Sequence, residues 1–350
     1  MIKANISSKF KTFGQFECRG SSNLYEFLSN KIAEDNELLV LASEARDGQP
    51  VPNLFFGAIH YLLLKGKDHE LKEYYPSLEE DPRNPQDAFQ CFKDFCRLNS
   101  QEIKEILKTK IVQTNEVRRC AYLFPVFSYI FQQAQKPLAL IEIGTSAGLQ
   151  LLWDKYSYSY GTGKIYGNSN ADVHLTSEIR GRNVPIFPEE MPPVASRTGV
   201  DLHINDLNNQ EDFLWLYSLI WPEHLERRNL FEQAAKCLKE NPVRLIEGDG
   251  AKLLPGLVKE IPDDHSICVF HTHVANQMPA EGKEQLLAEI TACGQNRDIF
   301  HIYNNIQDRG LHLDYFLGTK EFKRIVGHTE GHGKWFTWEL NLSHSENFET

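Results

Sequence analysis

An α/β fold, in which a mostly parallel sheet follows an amino-terminal helical region, is the architecture this sequence predicts. Three observations carry it. Apolar residues recur at three- and four-residue steps through much of residues 1–136. At Leu138 a short apolar run, Leu138–Ile143, is stopped by Gly144. From there apolar runs of strand length alternate with helical stretches, the pattern of strands joined by right-handed crossovers in one parallel sheet.

The helical region includes Ser22–Ala33, with Leu24, Phe27, Leu28 and Ile32 at helical spacing, then Ala58–Leu64 and Glu70–Tyr75. The breaker cluster Asp81-Pro82-Arg83-Asn84-Pro85 separates these from Ala88–Leu98, where Phe89, Phe92, Phe95 and Cys96 repeat at helical steps. Ser100 is placed to cap a helix through Lys108, and Arg118–Gln135 reads as a long buried helix ended by Lys136-Pro137. Strands are expected at Leu138–Ile143, Gly199–Leu202, Val243–Glu247, Ser266–His271 and Asp298–Tyr303. Helices are expected at Leu149–Lys155, Phe213–Ala235 with a kink at Pro222, Gly250–Val258 and Ala280–Thr291. Tyr156–Gly181, rich in Tyr, Ser, Val, Thr and Ile, reads as an inserted antiparallel ribbon. Arg324–His328 with Trp335–Leu342 reads as a closing antiparallel pair at the sheet edge. The expected division is therefore residues 1–136, a helical region placed to cover a cleft, and residues 137–350, an α/β domain with its ribbon at about 156–181.

Composition narrows the function. The 350 residues are 41% hydrophobic and 24% charged, which is ordinary for a globular protein. A net charge of −11 works against a polyanionic partner, since binding through phosphates needs a basic surface. Neither nucleic acid nor a membrane is expected as a partner, and no apolar run approaches the ~20 residues of a membrane span. The start of the chain lacks the apolar core of a secretory signal. The 7 cysteines are scattered with no Cys-x-x-Cys pair, as suits free thiols in a reducing cytoplasm.

The sharpest motif is the turn Glu142-Ile143-Gly144-Thr145-Ser146-Ala147-Gly148 after the first strand. Glycines at such a turn let the chain reverse tightly and let a ligand approach the backbone, with small residues between them. Asp201, with Asp206 as a rival, follows the second strand, and Asp249-Gly250 follows the third. Asp249 also suits the N-cap of the next helix. The fourth strand runs into Phe270-His271-Thr272-His273-Val274-Ala275-Asn276-Gln277, at the carboxyl end where open sheets bind ligands. Gln113-Thr114-Asn115-Glu116-Val117-Arg118-Arg119 is a polar segment directly before an apolar helix. Its residues cap that helix in the plainest reading, and otherwise face the cleft with an arginine on an anionic substrate group.

Together these segments resemble a bacterial family, domain of unknown function 2332. The resemblance rests on Gln113-Thr114-Asn115-Glu116, on the turn continuing through Leu149 into Leu152-Trp153-Asp154-Lys155-Tyr156, and on Arg197-Thr198-Gly199-Val200-Asp201-Leu202. It continues in Trp215-Leu216, Ile220-Trp221-Pro222-Glu223 and Arg227. The turn itself, Glu-x-Gly-x-x-x-Gly, resembles motif I of the class I S-adenosylmethionine-dependent methyltransferases, whose fold is Rossmann-like. That resemblance implies that Glu142, Gly144, Thr145, Ser146, Ala147 and Gly148 hold the methionine and ribose part of S-adenosylmethionine. It further implies that Asp201 accepts from the ribose hydroxyls and that Asp249 and Gly250 lie against the adenine. Ser146 stands where many members carry a middle glycine.

The expected reaction is methyl transfer to a small molecule or a protein side chain, an in-line displacement with the nucleophile held about 3–3.5 Å from the methyl carbon. His271 and His273 are the candidate proton acceptors, with Glu116 behind them. Asn115, Arg118, Arg119 and Asn276 are candidate substrate contacts. No metal is expected. Two other classes compete: a module that binds S-adenosylmethionine or a nucleoside without chemistry, and a metal-dependent hydrolase built on His271 and His273. His301, His328 and His332 are the candidate third ligands for such a metal.

Overall fold

The helical spacing of the first hundred residues becomes six helices in the computed structural model, which describes residues 2–340. These are α1 (Ile2–Thr12), α2 (Asn23–Ile32), α3 (Asn36–Ala42), α4 (Val51–Leu64), α5 (Ala88–Leu98) and α6 (Ser100–Thr109). Side-chain oxygens start two of them: Ser22 accepts from Tyr25 N–H, and Asp35 from Glu37 and Leu38 N–H. α4 is buried nearly all round, and its Phe55 and Phe56 meet Phe10 edge to face at centroid distances of 5.9 and 6.0 Å.

A short 3₁₀ turn, Val117–Arg119, leads into α7 (Cys120–Ala134). Gln135 ends α7 in the left-handed conformation, and β1 (Leu138–Ile143) follows, buried at every position. Next come β2 (Ser157–Ser159), β3 (Ile165–Gly167), β4 (His174–Thr176), β5 (Glu178–Arg180) and the longer β6 (Val194–Asp201). Two helices, α8 (Gln210–Ser218) and α9 (Leu225–Glu240), precede β7 (Arg244–Glu247). α10 (Gly250–Glu260), β8 (Ser266–Phe270), α11 (Ala280–Gly294) and β9 (Ile299–Tyr303) continue the alternation. The remainder is all strand: β10 (Leu311–Leu317), β11 (Lys320–Gly327) and β12 (Trp335–Thr337).

Seven strands form one sheet in the order β11-β10-β9-β8-β1-β6-β7. The five from β7 to β9 are mutually parallel, and β10 and β11 close the edge as an antiparallel hairpin. α10 and α11 cover one face, over a core that includes Ile141, Ile143, Val269, Leu254 and Ile290. α7 covers the other, where Phe127 meets Phe270 edge to face at 5.3 Å. Two compact units result: Met1–Thr114 with Asp206–Phe231, and Asn115–Asn205 with Glu232–Thr350. The boundary expected at Pro137 lies inside the second unit, because α7 packs on the sheet.

Several local expectations need correction. Leu149–Lys155 is a 3₁₀ segment broken at Leu152 (φ −98°, ψ 18°), not an α-helix; its Leu149–Trp153 are buried on successive sides, which a regular amphipathic helix does not allow. Phe213–Ala235 is two helices, since Pro222 has no N–H to continue the first. The ribbon is not purely antiparallel: β2 pairs antiparallel with β3 but parallel with β4, and β5 pairs parallel with β12. The closing pair is β10 with β11, joined across Gly318 and Thr319, both at positive φ as a tight hairpin turn requires. β10 was not expected, although Leu311, Leu313 and Tyr315 alternate with His312 and Asp314. The expected pairing beyond β11 is present as well: Thr337 N–H donates to His328 O at 2.8 Å and Glu339 N–H to Val326 O at 2.7 Å, in antiparallel register with the bridge Thr329–Phe336, while its end, through Leu342, lies outside the described residues. All 7 cysteines are unbridged. Among the described residues no helix is long and apolar enough to cross a membrane.

Candidate functional site

In chain order the parallel strands lie third, second, first, fourth, fifth across the sheet, so the connections diverge between β1 and β8. A doubly wound sheet opens a crevice at the carboxyl ends of the strands at that point. Three adjacent strands end there on a non-glycine residue in left-handed conformation: Ser146 after β1 (φ 54°), His273 after β8 (62°) and Asn305 after β9 (62°). Each costs about 1 kcal/mol or more, and such strain collects where a backbone must aim a side chain.

The β1 turn is held from both sides. Ser146 N–H donates to Asp201 Oδ2 at 2.7 Å, and His203 N–H to Asp201 Oδ1 at 3.2 Å. Ser146 Oγ accepts from Asn115 Nδ2 at 2.6 Å and from Asn205 Nδ2 at 3.0 Å. Thr145 Oγ–H donates to Glu142 Oε2 at 2.6 Å, and Thr145 itself fills the space beside Gly199, where a Cβ would lie 2.6 Å from its side chain. Burial lifts the Glu142 carboxyl to a pKa of about 8, against the Thr145 hydrogen bond and with help from the Asp201 charge. Burial also raises Asp201 above its ordinary range. Ser146→Ala removes the acceptor shared by two amides, one of them on the fully buried Asn205, and should destabilise the protein by about 1–3 kcal/mol. Chemical denaturation checks this; a change below about 0.5 kcal/mol would mean the amides find other partners.

The second half of the site is a hydrogen-bonded chain below β8 and β9. Arg119 is buried, and donates from Nε to Gly331 O at 2.9 Å and from Nη1 to Thr272 O and Oγ at 3.3 Å. Thr272 Oγ–H donates to Gln150 Oε1, and Gln150 Nε2 to Glu116 O. His273 N–H donates to Asn304 Oδ1 at 2.7 Å. Glu116 Oε1 accepts from Arg118 N–H at 3.3 Å, and Glu116 Oε2 lies 3.2 Å from His332 Nδ1. Burial first, then the nearby charges of Arg119 and His332, hold the His273 imidazole down at a pKa of about 3.

His271 sits apart from this chain. It is fully buried on the α11 side of the sheet with its ring centroid 5.2 Å from that of His301, which in turn stacks on Tyr303 at 4.6 Å. Burial alone brings His271 to about 4, and no ring nitrogen of His271 or His301 has a hydrogen-bond partner.

The structure thus gathers Asn115, Glu116, Arg118, Arg119, Glu142, Thr145, Ser146, Asp201 and His273 around two linked networks. Gly144 and Gly148 serve the turn's own packing: a Cβ on Gly144 would lie 2.2 Å from Val274 Cγ2, and one on Gly148 would lie 3.0 Å from Val243. Ala147 is buried. Asp249 caps α10 through Ala251 N–H, Gly250 packs on Ile143, and Asn276 is exposed on the short turn after β8. His271 and His273 do not face one another as a pair of ligands, and His328 N–H donates to Thr337 Oγ1 while its ring acts on Asp308. Among the described residues no group of three or more His, Cys, Asp or Glu side chains is placed to hold a metal. Sequence reasoning did not single out Gln150, Thr272, Asn205, Asn304 or Asn305, and saw His332 only as a metal ligand. Asn304-Asn305 had a usable signal, two amides directly after the apolar run Ile299–Tyr303.

No curated protein and no solved structure matches the chain. Residues 7–338 match a family described as an uncharacterised protein conserved in bacteria, DUF2332, and the chain belongs to that family.

Proposed function

We propose that this protein binds S-adenosylmethionine at the carboxyl ends of β1 and β6 and transfers its methyl group to a small molecule or a protein side chain, on a domain of the class I methyltransferase kind. The observation that supports this most is the union of Ser146 and Asp201, which ties the glycine-bounded turn to the acid at the end of the neighbouring strand. A carboxylate has about four acceptor positions, and the N–H groups of Ser146, Leu202 and His203 engage Asp201, so about one position remains to suit a ribose hydroxyl. Asp249 caps α10 with its side chain, and Gly248 N–H donates to Asp201 O, which ties the turn after β7 to the end of β6, where this reading places the adenine. When bound, the cofactor supplies an electrophilic methyl on sulfur; the chain positions the acceptor and takes up its proton.

One feature favours the second reading, a module that binds without chemistry. The inner side of the turn is filled by the chain itself, with Val274 against Gly144 and two asparagines on Ser146. Calorimetry with S-adenosylmethionine and its demethylated product separates the readings from having no ligand at all. Micromolar binding to the wild type, weakened at least tenfold (about 1.4 kcal/mol) in a folded Asp201→Asn variant, is the expected result. Absence of binding to the folded wild type would sink the cofactor assignment. Cofactor binding without turnover on cell metabolites or proteins would leave the binding module.

A further inference from the structure

His332 stands out because the chain spends three separate contacts on placing it. Arg119 Nε–H donates to the carbonyl of Gly331, on one side of it. On the other side Gly333 (φ 73°) presses against the turn before α7, where a Cβ would lie 2.7 Å from Arg118 O and 3.0 Å from Arg119 N. Glu330 completes the clamp by accepting from both His332 and Lys334 N–H at 3.0 Å. The loop is thus seated backbone to backbone on residues 118–119, and the imidazole is delivered to Glu116, a carboxylate only 3% exposed, while its own side chain keeps 40% exposure.

We infer that Glu116 and His332 form a carboxylate–imidazole dyad in which Glu116 Oε2 fixes the proton on Nδ1 and leaves Nε2 as the site's proton acceptor. The logic is that of any carboxylate-oriented histidine: the carboxylate selects the tautomer and compensates the imidazolium when the outer nitrogen is protonated. His271 and His273 are poorer acceptors: His271 is fully buried, His273 is half-buried, and burial lowers the basicity of both. The inference deepens the methyltransferase reading and, where it leans on that reading, names the acceptor class: a nucleophile bearing a proton, such as a hydroxyl or a neutral primary amine, in place of a thioether or tertiary amine. In that step the acceptor heteroatom bonds to the methyl carbon, the carbon–sulfur bond breaks toward the neutral thioether, and the acceptor's proton passes to His332 Nε2.

The dyad is tested in the free full-length protein, independently of any cofactor. Long-range proton–nitrogen spectra of histidine-labelled protein report the tautomer, with His332→Asn assigning the signal. The wild type should hold His332 as the Nδ1–H form. Glu116→Gln should invert it: the amide oxygen stays on Arg118 N–H, so the amide NH₂ faces Nδ1 and forces the proton to Nε2. Carbethoxylation of His332 by diethyl pyrocarbonate, which needs an accessible unprotonated nitrogen, should slow at least tenfold in that variant. An Nε2–H form in the wild type, or a His332 signal and reaction rate indifferent to Glu116→Gln in a folded protein, overturns the dyad. Failure of calorimetric cofactor binding would overturn only the methyltransferase reading, because neither the tautomer nor the reagent depends on it.

Discussion

Gly144→Ala should cost about 2–5 kcal/mol, adding the strain of a left-handed L-residue at φ 73° to the overpacking of a Cβ placed 2.2 Å from Val274 Cγ2. Val274 follows directly on His273, so the collision also displaces the β8 end of the site. Gly161→Ala is the control: its φ is 75° but nothing lies within 4 Å, so it should lose only the backbone part, about 1–2 kcal/mol. Val274→Ala should return part of the excess in the Gly144→Ala background, and the coupling between the two positions measures the contact. Hydrogen exchange of β1 and β8 amides reads the loss in the unit that carries it. Equal losses at Gly144 and Gly161, or no coupling to Val274, would show that the turn relaxes around the new methyl.

The second large effect is a pH dependence. Glu142 titrates near 8 when folded and near 4.5 when unfolded. Below pH 4.5 both states are protonated and the group contributes nothing to the pH slope. Between about 4.5 and 8 the unfolded chain ionises first, so stability falls as pH rises, by about 1.4 kcal/mol per unit and on the order of 5 kcal/mol in all. Glu142→Gln carries no such proton. Its stability relative to wild type should climb across this window and level off near pH 8. The comparison must be made as a difference, because His271 and His273 act with the opposite slope. Their folded pKa values of about 4 and 3 lie below the ordinary 6.5, so their contribution is complete above 6.5 and is lost as pH falls. Parallel stability curves for wild type and Glu142→Gln from pH 5 to 8 would show that the folded carboxyl ionises normally.

What could be read in the sequence was set by how locally each feature is encoded. β1 and α5 were legible to the residue, since an apolar run before a glycine and a three–four repeat after a breaker cluster each declare themselves within one window. β10 carried a short alternation, Leu311-His312-Leu313-Asp314-Tyr315, that was passed over, and the Leu149–Lys155 segment misled because its apolar residues suit a helix while their surroundings enclose every side. The partners of β5 were hidden for another reason: strand pairing over 150 residues leaves no local mark. In the site, the turn residues and Asp201 could be picked out because they end predicted strands. The link from Glu116 to His332 could not, since it spans 216 positions and depends on two glycines whose role shows only once the loops are packed.

The division of the chain bears on how it can be made and cut. Each compact unit is built from two stretches, and each interrupts the other: residues 206–231 leave the sheet-bearing unit to complete the helical one. That stretch is not decorative there, since Trp215 Nε1–H donates to Ile111 O, and Ser218 O and Glu223 engage His60 and Ser22. On the ribosome, α1 to α6 therefore emerge before the segment that closes their core is synthesised, and their apolar surface must wait about ninety residues for it at roughly 5–20 residues per second. No single backbone cut yields either unit whole. An expression fragment ending near residue 114 lacks its own last layer, whereas splicing residues 1–114 to 206–231 through a short linker restores it.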